Sequence, residues 1–74
     1  MQDRHVINSD YYCGRLWPDG SVIAIFTTSS YQVGEFDERT GEVRWLRLVL
    51  AAQKAGIQRF LQHQFPLKQE AVLA

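Results

Sequence analysis

The 74-residue chain contains one cysteine, Cys13, and two histidines, His5 and His63. A single cysteine excludes an internal disulfide and is typical of a protein in a reducing compartment. Metal sites need several ligands at short, defined spacing, and these three residues lie too far apart in sequence to provide one. Cys13 also lacks the context that activates a thiol, because it lies within a predicted strand beside aromatic residues. We therefore expect Cys13 to be a core residue and predict neither a metal nor a cofactor.

Long apolar runs are also lacking. No run approaches the roughly 18 residues of a membrane-spanning helix, and the first ten residues contain no apolar signal core. The sequence has no phosphate-binding glycine loop, dinucleotide fingerprint or nucleophile elbow. We therefore expect a cytoplasmic protein that has no catalytic residues, no enzymatic activity and no membrane partner.

Acidic residues are absent from one long stretch, between Val43 and Gln69. Residues 1–42 hold three basic and seven acidic residues, a net charge of −4, whereas residues 43–74 hold five basic residues and one acidic residue, a net charge of +4. The overall net charge of zero therefore hides an acidic first part and a basic last part. Four of the acidic residues cluster around a predicted turn, where we expect a solvated loop: Glu35, Asp37, Glu38 and Glu42.

The longest periodic segment runs from Leu46 to Phe65 and predicts an amphipathic helix. At about 100° per residue, an apolar stripe forms on one face of this helix. The stripe, which two glutamines interrupt, comprises Val49, Leu50, Ile57, Phe60 and Leu61. Ala51 and Ala55 belong to a second flank of small residues, which a partner could approach closely. Pro66 cannot continue a helix, so the helix is predicted to end at Phe65.

Strand patterns fill the chain before this helix. Residues 11–17 and 21–27 flank Pro18-Asp19-Gly20, a strong turn signal, and predict a β-hairpin. Residues 31–37 predict a third strand, in which Gly34 marks a change of face that is typical of a β-bulge.

Residues 42–45 fit two patterns. They can form a fourth strand after a turn at residues 38–41, which we favour, or they can belong to a helix that begins at Thr40. The sequence therefore predicts an α+β fold, an antiparallel β-meander of three to four strands with one C-terminal α-helix packed on one face. We expect a single domain over residues 1–74, loosely ordered at residues 1–10 and 67–74, with His5–Ile7 as a possible short edge strand.

Aromatic residues are numerous for so small a sheet. Because one helix covers only one face, some rings should stay accessible and mark a partner or dimer surface. At least one of Tyr11 and Tyr12 should face away from the helix. We predict a small non-catalytic interaction or regulatory module that binds a protein partner, in particular a second copy of itself. Its candidate contact residues are Tyr11, Tyr12, Trp17, Tyr31, Trp45, Ala51 and Ala55.

The basic segment supports an alternative, a nucleic-acid-binding regulator, because lysine and arginine neutralise phosphates and glutamine can contact bases. Its candidate contacts are Arg44, Arg47, Lys54, Arg59 and Lys68. Two observations weigh against it: the chain as a whole is not basic, and Lys54 and Arg59 project about 140° apart on a helix. A third hypothesis is a small ligand-binding protein or enzyme with a pocket between sheet and helix.

Overall fold

A computed structural model of the chain describes residues 4–67. Five strands form one antiparallel sheet in the order of the sequence, so that each strand pairs with its neighbours along the chain. The strands are β1 (Arg4–Val6), β2 (Tyr11–Arg15), β3 (Val22–Thr27), β4 (Gln32–Asp37) and β5 (Glu42–Trp45), and one helix, α1 (Ala51–Gln64), follows them. The predicted α+β meander with a C-terminal helix is confirmed, with five strands rather than three or four.

The core lies between the helix and one face of the sheet. β3 is the central strand, and its side chains Ile23 and Ile25 are fully buried, as are Ile57 and Leu61 of α1. Burying such a side chain contributes about 1.5–3 kcal/mol, so these few residues supply much of the stability. The whole core cluster comprises Cys13, Ile23, Ile25, Val33, Phe36, Ile57, Leu61 and Phe65.

The predicted bulge in β4 is present beside Gly34. Ile25 pairs with Gly34 and Phe26 pairs with Gln32, so Val33 is an extra residue on β4. A Cβ atom at Gly34 would lie 3.0 Å from the Trp45 ring and 3.1 Å from the carbonyl oxygen of Arg44. The strand therefore needs a glycine here because β5 approaches too closely for a side chain.

Residues 42–45 form a strand, β5, as the favoured interpretation of the sequence predicts. The predicted start of the helix at Leu46 is wrong, since α1 begins at Ala51. The backbone N–H of Leu46 donates to the carbonyl of Val33 at 2.8 Å, which continues the β4–β5 ladder beyond β5. Residues 46–50 also contain no side chain that caps a helix, and Leu50 keeps an extended backbone (φ −61°, ψ 143°).

At the other edge of the sheet, residues 4–6 form β1 and pair with β2 from Gly14 to Tyr12. These residues belong to the segment 1–10, which is predicted to be loosely ordered, and β1 overlaps the short edge strand predicted at His5–Ile7. The His5 ring meets the Phe65 ring edge-on at 5.2 Å between centroids, so β1 also contacts the chain just after the helix. Loose order is also predicted for residues 1–3 and 68–74, which lie outside the described residues. Within residues 4–67, no helix has the length and apolarity that crossing a membrane requires.

Candidate functional site

Residues 46–50, the leucine segment, connect β5 to the helix and expose an unusual amount of apolar surface. Leu48 is 100% exposed and Leu50 is 75% exposed, and Leu46 is exposed as well. Val49 packs against the core and fixes the segment to the domain. Single exposed apolar residues are common in proteins, but three leucines within five residues form a contiguous patch, and such patches mark interaction sites.

The first turns of α1 extend this apolar patch. Ala51 and Ala55, which the sequence nominated as a small-residue flank, are both exposed. Ile57 and Leu61, which are buried, lie about 120° away around the helix axis. Leu50 belongs to the predicted apolar stripe of the helix, yet it faces solvent. Its backbone is extended, so its side chain does not follow the direction that the helical periodicity predicts.

β5 lies at the edge of the sheet, next to the leucine segment. Its neighbour in the sheet is β4, and no other strand of residues 4–67 pairs with the outer side of β5. The pairing of β5 with β4 is regular from Glu42 to Trp45, and β5 contains no proline. Prolines, bulges, charged side chains and very short strands are common means of blocking an edge strand against pairing with another chain. β5 lacks the first two, but it has only four residues and exposes Glu42 and Arg44, so a further strand would have to carry complementary charges opposite them.

A basic–aromatic cluster, formed by Tyr31, Trp45, Arg47 and Lys54, surrounds the start of the helix. The guanidinium carbon of Arg47 lies 5.6 Å from the centre of the Tyr31 ring, and Nζ of Lys54 lies 5.6 Å from the centre of the Trp45 ring. Nε of Arg47 also donates to the carbonyl of Gln32 at 3.2 Å. The structure thus brings two of the predicted nucleic-acid contacts next to two of the predicted partner residues.

The other predicted aromatic contacts are spread over the molecule. Tyr11 packs against the core, whereas Tyr12 stacks on Phe26 with centroids 5.2 Å apart, opposite the helix. The expectation that at least one of these tyrosines faces away from the helix is confirmed. Arg4 lies 4.0 Å from the Tyr12 ring centre on that face. Trp17 is 59% exposed in the turn between β2 and β3, away from the leucine segment.

The other predicted basic contacts do not converge either. Val43 and Trp45 pack against the core, so Arg44 between them projects to the face of the sheet opposite the helix. Arg59 is exposed on α1. Lys68 lies outside the described residues.

A concavity of about 280 Å³ lies on the face of the sheet opposite the helix. It is therefore not the pocket between sheet and helix that the third hypothesis predicts. Its charged lining includes Glu35, Asp37, Glu42 and Arg44. In the β4–β5 ladder, Glu35 lies opposite Arg44, whereas Asp37 lies opposite Glu42, a like-charged pair. Like charges directly opposite each other destabilise a sheet, so a cation from another molecule beside Glu42 would be favourable.

Glu38 was expected in a solvated loop, and this expectation is wrong. Its side chain is 3% exposed, and its Oε1 accepts a hydrogen bond of 2.6 Å from Nη1 of Arg15. Arg15 also donates to the carbonyl of Gly20 at 2.8 Å. A signal for this pair exists in the sequence, because Arg15 shares its side of β2 with Cys13, and a cation on a core-facing side needs an acidic partner.

Cys13 is fully buried, which confirms its prediction as a core residue. Across residues 4–67, no group of three or more histidine, cysteine, aspartate or glutamate side chains is placed to hold a metal ion. Comparison of the chain with models of protein families, with curated proteins and with solved structures finds no match.

Proposed function

We propose that this protein is a small non-catalytic interaction module that binds a second copy of itself through the leucine segment and the open edge of β5. The observation that carries the proposal is the exposure of Leu48 and Leu50 directly beside β5, an edge strand whose outer side pairs with no other strand of residues 4–67. An apolar segment and an open edge offer two different kinds of contact, side-chain burial and backbone hydrogen bonding. Because the leucine segment directly follows β5 in the chain, the two form one surface.

Because the domain is small, burial of these leucines would add substantially to its stability. Burying a leucine side chain is worth about 1.5–3 kcal/mol, and the total stability of a native domain is typically about 5–15 kcal/mol. Leu48 and Leu50, which lie largely in water, therefore represent a large share of the burial energy that so small a core can supply. Association that covers them would stabilise the fold, as is common for domains below about 70–80 residues.

A second copy is the occupant that fits this surface best. It brings an identical open edge, and two identical edges can pair in an antiparallel manner about a two-fold axis. It also brings both charge signs to the boundary, since β5 exposes Glu42 and Arg44. Pairing with this second edge would provide hydrogen-bond partners for the outward-pointing backbone groups of β5.

Sedimentation velocity over the micromolar concentration range tests this proposal. We expect the weight-average sedimentation coefficient to rise with concentration towards the value of a dimer. A strict monomer throughout this range would overturn the proposal. Dimerisation unaffected by polar replacements of Leu48 and Leu50 would exclude the leucine segment from the interface.

A second candidate function is binding of single-stranded nucleic acid at the basic–aromatic cluster. The supporting observation is that Tyr31 is exposed beside Arg47, while Lys54 lies over Trp45. Aromatic rings stack on bases and cations neutralise the backbone in such sites. Fluorescence anisotropy with a labelled single-stranded oligonucleotide at about 50 mM salt tests it, since phosphate contacts are strong there. Replacing both Tyr31 and Lys54 with alanine should weaken binding, and absence of binding by the unmodified chain would dismiss this candidate.

A further inference from the structure

The backbone of β5 alternates between its neighbour and the open edge. The N–H of Leu46 donates to Val33 on β4. In an antiparallel ladder, every second residue directs its N–H and C=O groups to the same neighbour. Glu42 and Arg44 therefore share the orientation of Leu46 towards β4. The N–H and C=O groups of Val43 and Trp45 point to the open edge, where a second strand would meet them.

This alternation limits the registers in which two β5 strands can pair about a two-fold axis. Residues with outward-pointing backbone groups must face each other. Val43 opposite Gly41 is excluded, because the N–H of Gly41 donates to the carbonyl of Asp37 in its own chain, so Val43 lies opposite Val43, Trp45 or Arg47 of the second copy. A register centred on Trp45 would place Val43 opposite Arg47. The chain bends at Arg47, whose side chain is hydrogen-bonded to the Gln32 carbonyl, and this bend excludes that register.

Charge distinguishes the two registers that remain. With Val43 opposite Val43, Glu42 of each copy lies opposite Arg44 of the other. With Val43 opposite Trp45, the two Arg44 side chains lie directly opposite each other. Opposite charges in cross-strand pairs stabilise a sheet and like charges destabilise it. The first register also places a cation beside Glu42, which lies opposite Asp37 in its own chain.

The helix-facing side of the first register is apolar. Val43 meets Val43 at the axis, and Trp45 lies beside Gly41 of the second copy. Gly41 is a turn residue (φ 76°) whose N–H donates to the carbonyl of Asp37, so the backbone pairing between the copies is centred on Val43 and does not include the Gly41 N–H. Leu67, an exposed residue, lies beside Gly41 in its own chain, 3.5 Å from the position of a Cβ atom there. Pairing would therefore bring Leu67 of one copy towards Trp45 and the leucine segment of the other.

The geometry points to a specific dimer in which two β5 strands pair antiparallel about a two-fold axis beside Val43. The result is a continuous ten-stranded sheet with reciprocal Glu42–Arg44 pairs across the boundary. This inference rests on the proposed self-association and adds the surface, the symmetry and the register to it.

Charge reversal tests the register. Glu42→Arg alone and Arg44→Glu alone each create two like-charged pairs, so each should raise the dimer dissociation constant by about tenfold. The double variant E42R/R44E restores opposite charges and should recover the dimer. An equimolar mixture of the two single variants should form a heterodimer, since all of its cross-strand pairs are then opposite in charge. Arg59→Glu, a reversal on the exposed side of α1, is the matched control and should leave the dimer unchanged.

Cysteine cross-linking gives an independent readout. Residues opposite each other in a non-hydrogen-bonded pair have Cα atoms about 4.5 Å apart, within the range of a disulfide. Glu42→Cys mixed with Arg44→Cys should give a disulfide-linked heterodimer under mild oxidation, whereas neither variant alone should cross-link efficiently. Melting temperatures of all variants establish that they fold.

The outcomes separate this inference from the proposed function. A wild-type monomer would overturn both. A wild-type dimer that Glu42→Arg does not weaken, or Arg44→Cys that cross-links efficiently to itself, would overturn the register and leave self-association in place.

Discussion

Arg15 and Glu38 form an ion pair at the end of the core, with Nη1 of Arg15 2.6 Å from Oε1 of Glu38. The second guanidinium nitrogen, Nη2, lies 3.3 Å from Oε2, so the pair is bidentate. Glu38 is 3% exposed and Arg15 is 16% exposed. The pair joins the end of β2 to the turn between β4 and β5, two parts of the sheet that are distant in sequence.

Removing one partner of this pair should destabilise the domain strongly. Glu38→Gln keeps the shape of the side chain but leaves the Arg15 guanidinium without its carboxylate. The loss of a buried partner costs about 3–5 kcal/mol, because the remaining charge stays desolvated. Urea unfolding followed by circular dichroism measures this change. Asp10→Asn, at an exposed carboxylate outside the proposed interface, is the control and should change the free energy of unfolding by less than about 0.5 kcal/mol. Equal effects of the two substitutions would contradict a structural role for the pair.

The order and type of the secondary structure could largely be predicted from the sequence, because alternation and turn residues act locally. The hairpin around Pro18–Gly20, the bulge beside Gly34 and the strand at residues 42–45 are confirmed. The start of α1 could not be predicted in this way. The leucine segment has helical periodicity, but the hydrogen bond from Leu46 to Val33, a contact with a distant strand, holds its beginning extended.

The candidate site was predictable only in part, for a similar reason. Ala51, Ala55 and Tyr31 were nominated and are exposed. Leu48 and Leu50 were assigned to the helix, and their exposure follows from the late start of α1. The burial of Glu38 depends on the distant residue Arg15. Local patterns therefore identified residue types that could bind a partner, whereas the pairing between strands decided which of them lie together.

Gly34→Ala should destabilise the sheet. The added methyl group would lie 3.0 Å from the Trp45 ring and 3.1 Å from a backbone oxygen, closer than van der Waals contact. Overpacking of this kind costs about 1–3 kcal/mol, and Trp45 would have to move. The free energy of unfolding measures the cost, and the near-ultraviolet circular dichroism of the tryptophans should change with it. A variant as stable as the wild type would show that β5 can move away from β4 at no cost.

Gly56→Ala should have the opposite effect, and it serves as the matched substitution. Gly56 lies in the interior of α1, and a Cβ atom there would meet nothing within 4 Å. Alanine is about 0.8–1 kcal/mol more favourable than glycine in a helix interior. Thermal unfolding should therefore show a higher melting temperature at unchanged protein concentration. A decrease in stability would mean that another chain approaches the helix closely at Gly56.

Replacing Leu48 and Leu50 with serine should weaken self-association without weakening the fold. Both side chains lie in solvent, so their removal should not lower the free energy of unfolding extrapolated to the monomer. Serine at position 50, the N-cap of α1, should raise it by about 0.5–2 kcal/mol, because the hydroxyl can cap the helix. Truncating an interface residue that is buried on association commonly costs about 1 kcal/mol or more, so the double variant should raise the dimer dissociation constant about tenfold or more.

Leu16→Ser is the matched control for this pair, because Leu16 is an exposed leucine near the turn between β2 and β3. It should leave the sedimentation behaviour unchanged, since that turn takes no part in the proposed surface. Weakening by Leu16→Ser to the same extent as by the double variant would indicate that apolar exposure in general drives association. Weakening by the double variant alone places the leucine segment in the interface, whichever register β5 adopts.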